Sequence, residues 1–255
     1  MRLDNYLFQH NLAKSRTYAS ELIKNNLVMV NNQIVSKASF KVCSEDKIVI
    51  IAQLYEYVSR GAYKLKMAIE SFKINLTDKV VIDIGASTGG FTDYCLKNNA
   101  KYVYAIDVGT DQLVNDLKKD HRVKSLENCD FRDLDSSLIK QPINFICCDV
   151  SFISISKILP KIAELSTLEC DIILLFKPQF EVGPKHLNKH GIVKDNKYTK
   201  LAFETLYLQI CNLNFRVLDF VASDILGKKG NQEYLLYLSK KEGRELALAE
   251  LIKRI

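Results

Sequence analysis

Residues 80–91 read Val80-Val81-Ile82-Asp83-Ile84-Gly85-Ala86-Ser87-Thr88-Gly89-Gly90-Phe91, and this stretch decides how the rest of the chain is read. Its β-branched run predicts a buried strand that carries Asp83 toward its carboxyl edge. The glycines then let the backbone turn sharply and come close to a ligand before a helix opens near Phe91. Asp107 closes the next apolar run, 22 residues after Gly85, where a Rossmann-like fold places a carboxylate on the ribose hydroxyls of an adenosine. Spacing narrows the ligand further. Asp-x-Gly-x-Ser-x-Gly-Gly is neither the Gly-x-Gly-x-x-Gly of dinucleotide sites nor a Gly-Lys-Ser/Thr phosphate loop. An acid ahead of the first glycine would repel a pyrophosphate and suits a cationic methionyl end. S-adenosylmethionine is therefore the expected cofactor, held by Asp83 and residues Gly85, Ala86, Ser87, Thr88, Gly89, Gly90 and Phe91, with Asp107 and Val108 at the ribose. Downstream, Asp130 is expected to accept from the adenine amine and Phe131 to pack on its ring.

Outward from this motif, strands are predicted at 102–106, 143–148, 172–176, 217–222 and 234–238, with helical patterns between most of them. Near-continuous apolar strands alternating with helices imply an α/β class, a Rossmann-like domain whose mainly parallel sheet is covered on both faces. Residues 1–52 read differently. Leu3 and Leu7 share a helical face, and Ser15 reads as the N-cap of a second helix with apolar Ala19, Leu22 and Ile23. Short strands follow at 27–30, 34–35 and 47–50, with an Asn31-Asn32 turn. The expected organisation is a small α+β module over 1–52, a linker over 53–60 and a catalytic domain over 61–255, ending in a helix over 244–253.

Bulk numbers set limits on function. The chain has 255 residues and is 47% hydrophobic, enough for a real core and against disorder. Thirty-six basic residues against 30 acidic give +6 overall. Residues 1–50 hold seven basic side chains (Arg2, Lys14, Arg16, Lys24, Lys37, Lys41, Lys47) against four acidic ones, or half of that excess, as a nucleic-acid-binding module would. Seven cysteines without a Cys-x-x-Cys pair fit a reducing compartment, and adjacent Cys147 and Cys148 read as core. No run approaches the ~20 apolar residues of a membrane span, and the N-terminus lacks the apolar core of a signal peptide. The expectation is a cytoplasmic protein, as a monomer or homodimer.

The order Arg2-Leu3-Asp4, Leu12, Lys14-Ser15-Arg16, Leu22-Ile23 and Val28-x-Val30-Asn31 resembles the S4 RNA-binding domain. That resemblance implies that Arg2, Lys14, Arg16 and Lys24 face phosphates, positioning RNA without reading sequence. In the larger domain, four ionisable residues fall where strands or helices open onto the cofactor: Lys64 in Ser59-Arg60-Gly61-Ala62-Tyr63-Lys64-Leu65, Asp149 in Cys148-Asp149-Val150-Ser151-Phe152, Lys177 in Phe176-Lys177-Pro178-Gln179-Phe180-Glu181, and Glu233 in Asn231-Gln232-Glu233-Tyr234. Asp149 and Lys177 each follow a purely apolar strand at its carboxyl end, the edge where open α/β sheets bind ligands. The order Lys, Asp, Lys, Glu resembles the tetrad of the FtsJ-like 2′-O-methyltransferases. With the S4-like module in front, the chain is identified as a member of the TlyA family of ribosomal RNA cytidine 2′-O-methyltransferases.

The chemistry fits such a set. A ribose hydroxyl is a weak nucleophile, whereas a sulfonium methyl is already activated. The protein must align the hydroxyl and help it lose a proton. The expected roles are base or alkoxide stabiliser for Lys177, tuning and orientation for Lys64 and Asp149, and a hold on the ribose or a lysine for Glu233. Asp149 is also expected at the cofactor. Base methylation is the nearest enzymatic rival, but amino-directed enzymes place Asn/Asp-Pro-Pro-Tyr/Phe where this chain has Asp149-Val150-Ser151-Phe152, and carbon-5 enzymes need a Pro-Cys nucleophile. The basic loop at 181–194 is expected to touch RNA through Lys185 and Lys189, as is Arg60. His186 and His190 have a metal-like spacing, but without a cysteine pair no metal is expected. Two positions depart from the family pattern: Tyr55-Glu56-Tyr57-Val58 replaces Arg-x-Trp-Val in the linker, and Asp130 stands where asparagine is usual. Short ends resemble the class acting on the large subunit, so 23S rather than 16S rRNA is the expected partner. Two other classes stay in view, a non-catalytic RNA-binding or assembly factor and a haemolysin-like membrane-active protein.

Overall fold

The computed structural model describes residues 1–51, 56–242 and 245–255. Contacts divide the chain into two units, Met1–Glu56 and Tyr57–Ile255. Residues 53–55 of the predicted linker lie outside the described set, as does Arg244 at the start of the predicted last helix.

In the first unit, helices α1 (Leu3–Gln9) and α2 (Arg16–Lys24) pack on strands β1 (Val28–Val30), β2 (Gln33–Ile34) and β3 (Ile48–Ile50), in the order β2-β1-β3, all antiparallel. Leu3, Leu7, Ala19, Leu22, Ile23, Val28 and Val30 form its core. The Ser15 hydroxyl accepts from the Tyr18 amide at 3.1 Å, capping α2. Asn31 and Asn32 both take positive φ, as a tight hairpin turn requires.

The second unit contains α3 (Ala62–Phe72), β4 (Val80–Ile84), α4 (Gly90–Lys97), β5 (Tyr102–Ile106), α5 (Asn115–Lys119), β6 (Val123–Leu126), β7 (Ile143–Cys148), α6 (Leu159–Leu165), β8 (Ser166–Phe176), α7 (Pro178–Glu181), α8 (Asn196–Asn212), β9 (Arg216–Ala222), β10 (Tyr234–Ser239) and α9 (Leu248–Ile252). Its seven strands run β6-β5-β4-β7-β8-β10-β9, parallel except for β10, which enters antiparallel between β8 and β9. Separate hydrophobic clusters cover the two faces: Ile82, Ile84, Tyr104, Phe176, Phe203 and Phe220 belong to one, and Val81, Val103, Phe145, Leu175 and Leu235 to the other. Residues alternate between the clusters along each strand, as the period of two demands.

Chain order reverses around β4, so the crevice for a ligand lies at the carboxyl ends of β4, β5 and β7. Register fixes what stands there. Ile84 pairs with Cys148, Cys148 with Leu174, and Phe176 with Tyr234. Because β10 runs the other way, the residue before it, Glu233, stands at the same edge as Lys177, the residue after β8.

Candidate active site

Gly85 leaves β4 at φ +80, and a Cβ there would lie 2.6 Å from the Asp149 carbonyl oxygen. Only glycine allows this approach, which brings the exits of β4 and β7 together. Asp107 knits the turn: its two carboxylate oxygens accept from the Ser87 and Gly109 amides, each at 2.7 Å. Asp83 is fully buried; one carboxylate oxygen accepts from the Thr92 hydroxyl at 2.7 Å, and the other has no partner among the described residues. Burial pushes its pKa up to about 7, with the charges of Asp149 and Asp107 adding to the effect.

These residues fit an adenosyl sulfonium ligand. The orphaned Asp83 oxygen is a buried acceptor beside the glycine turn, where a cation or donor would satisfy it. A carboxylate offers about four lone-pair positions, so Asp107 can keep both amides and still receive ribose hydroxyls. Ser87 and Val108 are exposed, Thr88 is half-buried, and Ala86, Gly89 and Gly90 are buried. Phe91 also belongs to the core, so its side chain supports α4 from within.

The two residues expected at the adenine both have partners within the chain. Asp130 caps the turn at Phe131–Asp133 and is chelated by its own neighbour Arg132, with Nε at 3.0 Å and Nη2 at 2.5 Å. That guanidinium holds the Asp130 carboxyl below its ordinary range. Phe131 is buried with Ile84, Ile106 and Leu134. An apolar side chain just below the sheet edge gains more from the core than from a half-open pocket.

Along the edge the four ionisable residues form two ion pairs. Lys64, in the first turn of α3, is 9% exposed and donates to Glu233, 3% exposed, at 2.5 Å across 169 residues. The second oxygen of Glu233 accepts from Gln179 Nε2 at 3.0 Å. A Cβ on Gly227 would lie 2.5 Å from that same oxygen, so the 227–231 loop closes directly over the carboxylate. Lys177 is ion-paired to Asp149 and donates to the Ser151 hydroxyl at 3.1 Å.

Three neighbours lie in the motifs quoted above without having been singled out. Gln179 shares Glu233 with Lys64. Glu181 accepts from the Ser154 hydroxyl at 2.6 Å and the Ile155 amide at 2.9 Å, tying the loop after β7 to α7. Phe152 is 91% exposed, takes φ +64 and lies 5.0 Å from the Phe180 ring. Positive φ in a bulky residue is an outlier, and here it leaves an aromatic ring in solvent beside Phe180, over whose ring the Lys177 ammonium lies at 5.9 Å. Sequence offered a signal only for type and neighbourhood; a backbone angle is not written in composition.

Arg2, Lys14, Lys24 and Arg16 are exposed on the first unit, and Arg60, Lys185 and Lys189 on the second. His186 stacks on Tyr198 at 3.9 Å, and among the described residues no group of three His, Cys, Asp or Glu could hold a metal ion. In the linker motif, buried Tyr57 packs on Tyr63 and Tyr94, while the Val58 amide donates to Asp93 at 2.9 Å.

Residues 57–240 match the FtsJ-like methyltransferase family and residues 1–48 the S4 domain. The 16S/23S rRNA (cytidine-2′-O)-methyltransferase TlyA of Mycobacterium tuberculosis is 34% identical over 96% of this chain and 92% of its own. The chain belongs to the TlyA family. The 23S rRNA (cytidine-2′-O)-methyltransferase TlyA of Campylobacter jejuni is 37% identical over 94% of this chain and 100% of its own. Hemolysin A of Brachyspira hyodysenteriae is 40% identical over 93% of this chain and 99% of its own. A solved Streptococcus thermophilus structure that carries a hemolysin label superposes with TM-score 0.77 at 34% identity, covering 99% of this chain and 94% of that one. Two kinds of name thus run through the relatives of this TlyA-family chain. Among its described residues, no helix is long and apolar enough to cross a membrane.

Proposed function

We propose that this TlyA-family chain methylates the 2′-hydroxyl of a cytidine in 23S ribosomal RNA, with S-adenosylmethionine as donor, in the cytoplasm. The observation that carries the reading is the edge itself: Lys64–Glu233 and Lys177–Asp149, two ion pairs set beside the glycine turn. S-adenosylmethionine supplies an electrophilic methyl group, held by the turn, Asp83 and Asp107. The chain's own residues must align the hydroxyl and stabilise charge as its proton leaves.

Lys177, fixed by Asp149 and Ser151, directs its ammonium at the nucleophilic oxygen. Its pairing with a carboxylate favours charge stabilisation over proton abstraction, so the hydroxyl proton passes to solvent water as the oxygen takes the methyl group. Lys64, held by Glu233, supplies a second positive charge at the same edge. A nucleotide offering its ribose to this edge must leave its stack. The exposed ring of Phe152, beside Phe180, gives the displaced base a face to rest on. Residues 1–52, with Arg2, Lys14, Arg16 and Lys24, bind the RNA, and Arg60, Lys185 and Lys189 add phosphate contacts near the site.

Support for 23S over 16S comes from the Campylobacter jejuni relative, matched along its full length. The test compares 2′-O-methylation of both rRNAs from cells with and without the gene. The expected result is one cytidine lost from the 23S map, and its return with wild-type protein but not with Lys177→Ala. A gene-dependent methyl group in 16S rRNA refutes the 23S restriction, and full transfer by Lys177→Ala refutes the site.

A further inference from the structure

Resting on the reading that the N-terminal unit binds RNA, we infer that Asp4 is a positioning residue that sets Arg2 and Arg16 as one two-guanidinium clamp for backbone phosphates. Asp4 lies in the first turn of α1 and is 3% exposed. One of its oxygens accepts from Arg2 Nε at 3.0 Å and from the Asn5 amide at 2.9 Å. The other accepts from Arg2 Nη2 at 2.9 Å and from Arg16 Nη2 at 3.4 Å. Arg2 is therefore gripped in a two-point fork, and Arg16 reaches the same carboxylate from the start of α2. The Ser15 cap and the shared core of α1 and α2 fix where Arg16 begins. Both arginine side chains stay half in solvent, 52% and 56% exposed.

A buried carboxylate between two helices is an uneconomical way to gain stability, because desolvating it cancels much of what its partners return. What it does provide is order. Two long flexible side chains are held in one place before any ligand arrives, so less freedom is lost when a phosphate docks. Pairing with Arg2 also lowers the Asp4 pKa, so the group is an anion at neutral pH.

That charge makes the inference testable by sign. Simple electrostatics says that removing an anion from an RNA-binding face tightens binding; a positioning role says that it weakens it. The full chain and its Asp4→Asn variant are titrated against a labelled 23S rRNA transcript by filter binding, from about 50 to 200 mM KCl, the range over which phosphate contacts register. The variant is expected to bind about five- to tenfold more weakly, with a salt slope shallower by about one phosphate contact. In an Arg2→Ala/Arg16→Ala background the same change should cost nothing.

Equal or tighter binding by Asp4→Asn, an unchanged slope, or an equal loss in the double-alanine background overturns the inference. Should melting show the N-terminal unit unfolded in Asp4→Asn, Arg2→Lys and Arg16→Lys decide, since each keeps its charge and gives up the guanidinium that reaches Asp4; binding equal to wild type in both overturns it. Failure of the wild-type chain to bind the transcript at all overturns the RNA reading beneath it as well.

Discussion

Replacing Asp83 by Asn is expected to make the protein more stable at neutral pH and poorer at holding its cofactor. A carboxyl with an ordinary pKa near 3.9 in the unfolded chain sits at about 7 in the native one, because it is fully buried with one oxygen unpartnered. At about 1.4 kcal/mol per pH unit, ionising it in the native state costs on the order of 4 kcal/mol. The native pKa lies above the unfolded one. The stability this proton confers is therefore complete below about pH 4 and is lost as pH rises through about 7. Asn keeps an oxygen for the Thr92 hydroxyl and has no charge to desolvate. Urea unfolding should show wild type losing about 2.7 kcal/mol relative to the variant between pH 5 and pH 8, the two pH units below the native pKa at about 1.4 kcal/mol each.

Cofactor binding should show the reverse. A cation beside Asp83 favours its ionised form, so binding releases a proton. Wild-type affinity for S-adenosylmethionine, read by calorimetry, should weaken about tenfold for each pH unit below 7. Between pH 5 and 7 an α-amino group on the ligand keeps its own proton, so the slope reports the protein. The variant should bind weakly with no such slope. A wild-type dissociation constant equal at pH 5 and pH 7, or parallel stability curves for the two proteins, would refute the reasoning.

Glu233→Ala should destabilise by about 3–5 kcal/mol in urea, because it strands a buried ammonium, whereas Lys64→Met/Glu233→Leu should recover most of that loss while both stay inactive. Phe152→Gly relieves a bulky left-handed residue and should raise stability by about 1 kcal/mol; the KM for RNA should rise with cofactor affinity unchanged, and a KM equal to wild type would exclude Phe152 from substrate capture. Burial raises the Glu181 pKa, so its proton stabilises the native state at low pH and that benefit is lost as pH rises. Glu181→Gln should therefore gain stability over wild type with increasing pH, while Glu181→Ala, which frees the 151–155 loop, should lose about tenfold in kcat, one hydrogen bond's worth.

The strands that carry the site were legible because they are apolar on both faces: Val80–Ile84, Tyr102–Ile106 and Ile143–Cys148 were read to the residue. β6 went unnamed because Val123-Lys124-Ser125-Leu126 is half-polar and only half-buried at the sheet's edge. The first six residues of β8, with polar Ser166, Thr167, Glu169 and Asp171, were missed for the same reason. Asp149 and Lys177 follow from strand ends, which periodicity locates, whereas Lys64 and Glu233 join them through the family resemblance. Partner choice follows from neither. That Asp130 would turn back onto Arg132, that Phe131 would enter the core, and that Glu181 would brace the loop after β7 depend on rotamers and short-range geometry that residue type leaves open.

The reversed entry of β10 has a consequence for the newborn protein. Lys64 leaves the ribosome early, and its carboxylate is not made until 169 residues later. Until then β8 offers a bare strand margin, the kind of surface on which unfinished chains adhere to one another. A copy stopped short of residue 233 would hold Lys177, Asp149 and the whole glycine turn, yet still lack half its charge circuit. On the proposed reading of the four-residue edge, a copy that ends before Glu233 yields silent protein rather than a stray catalyst.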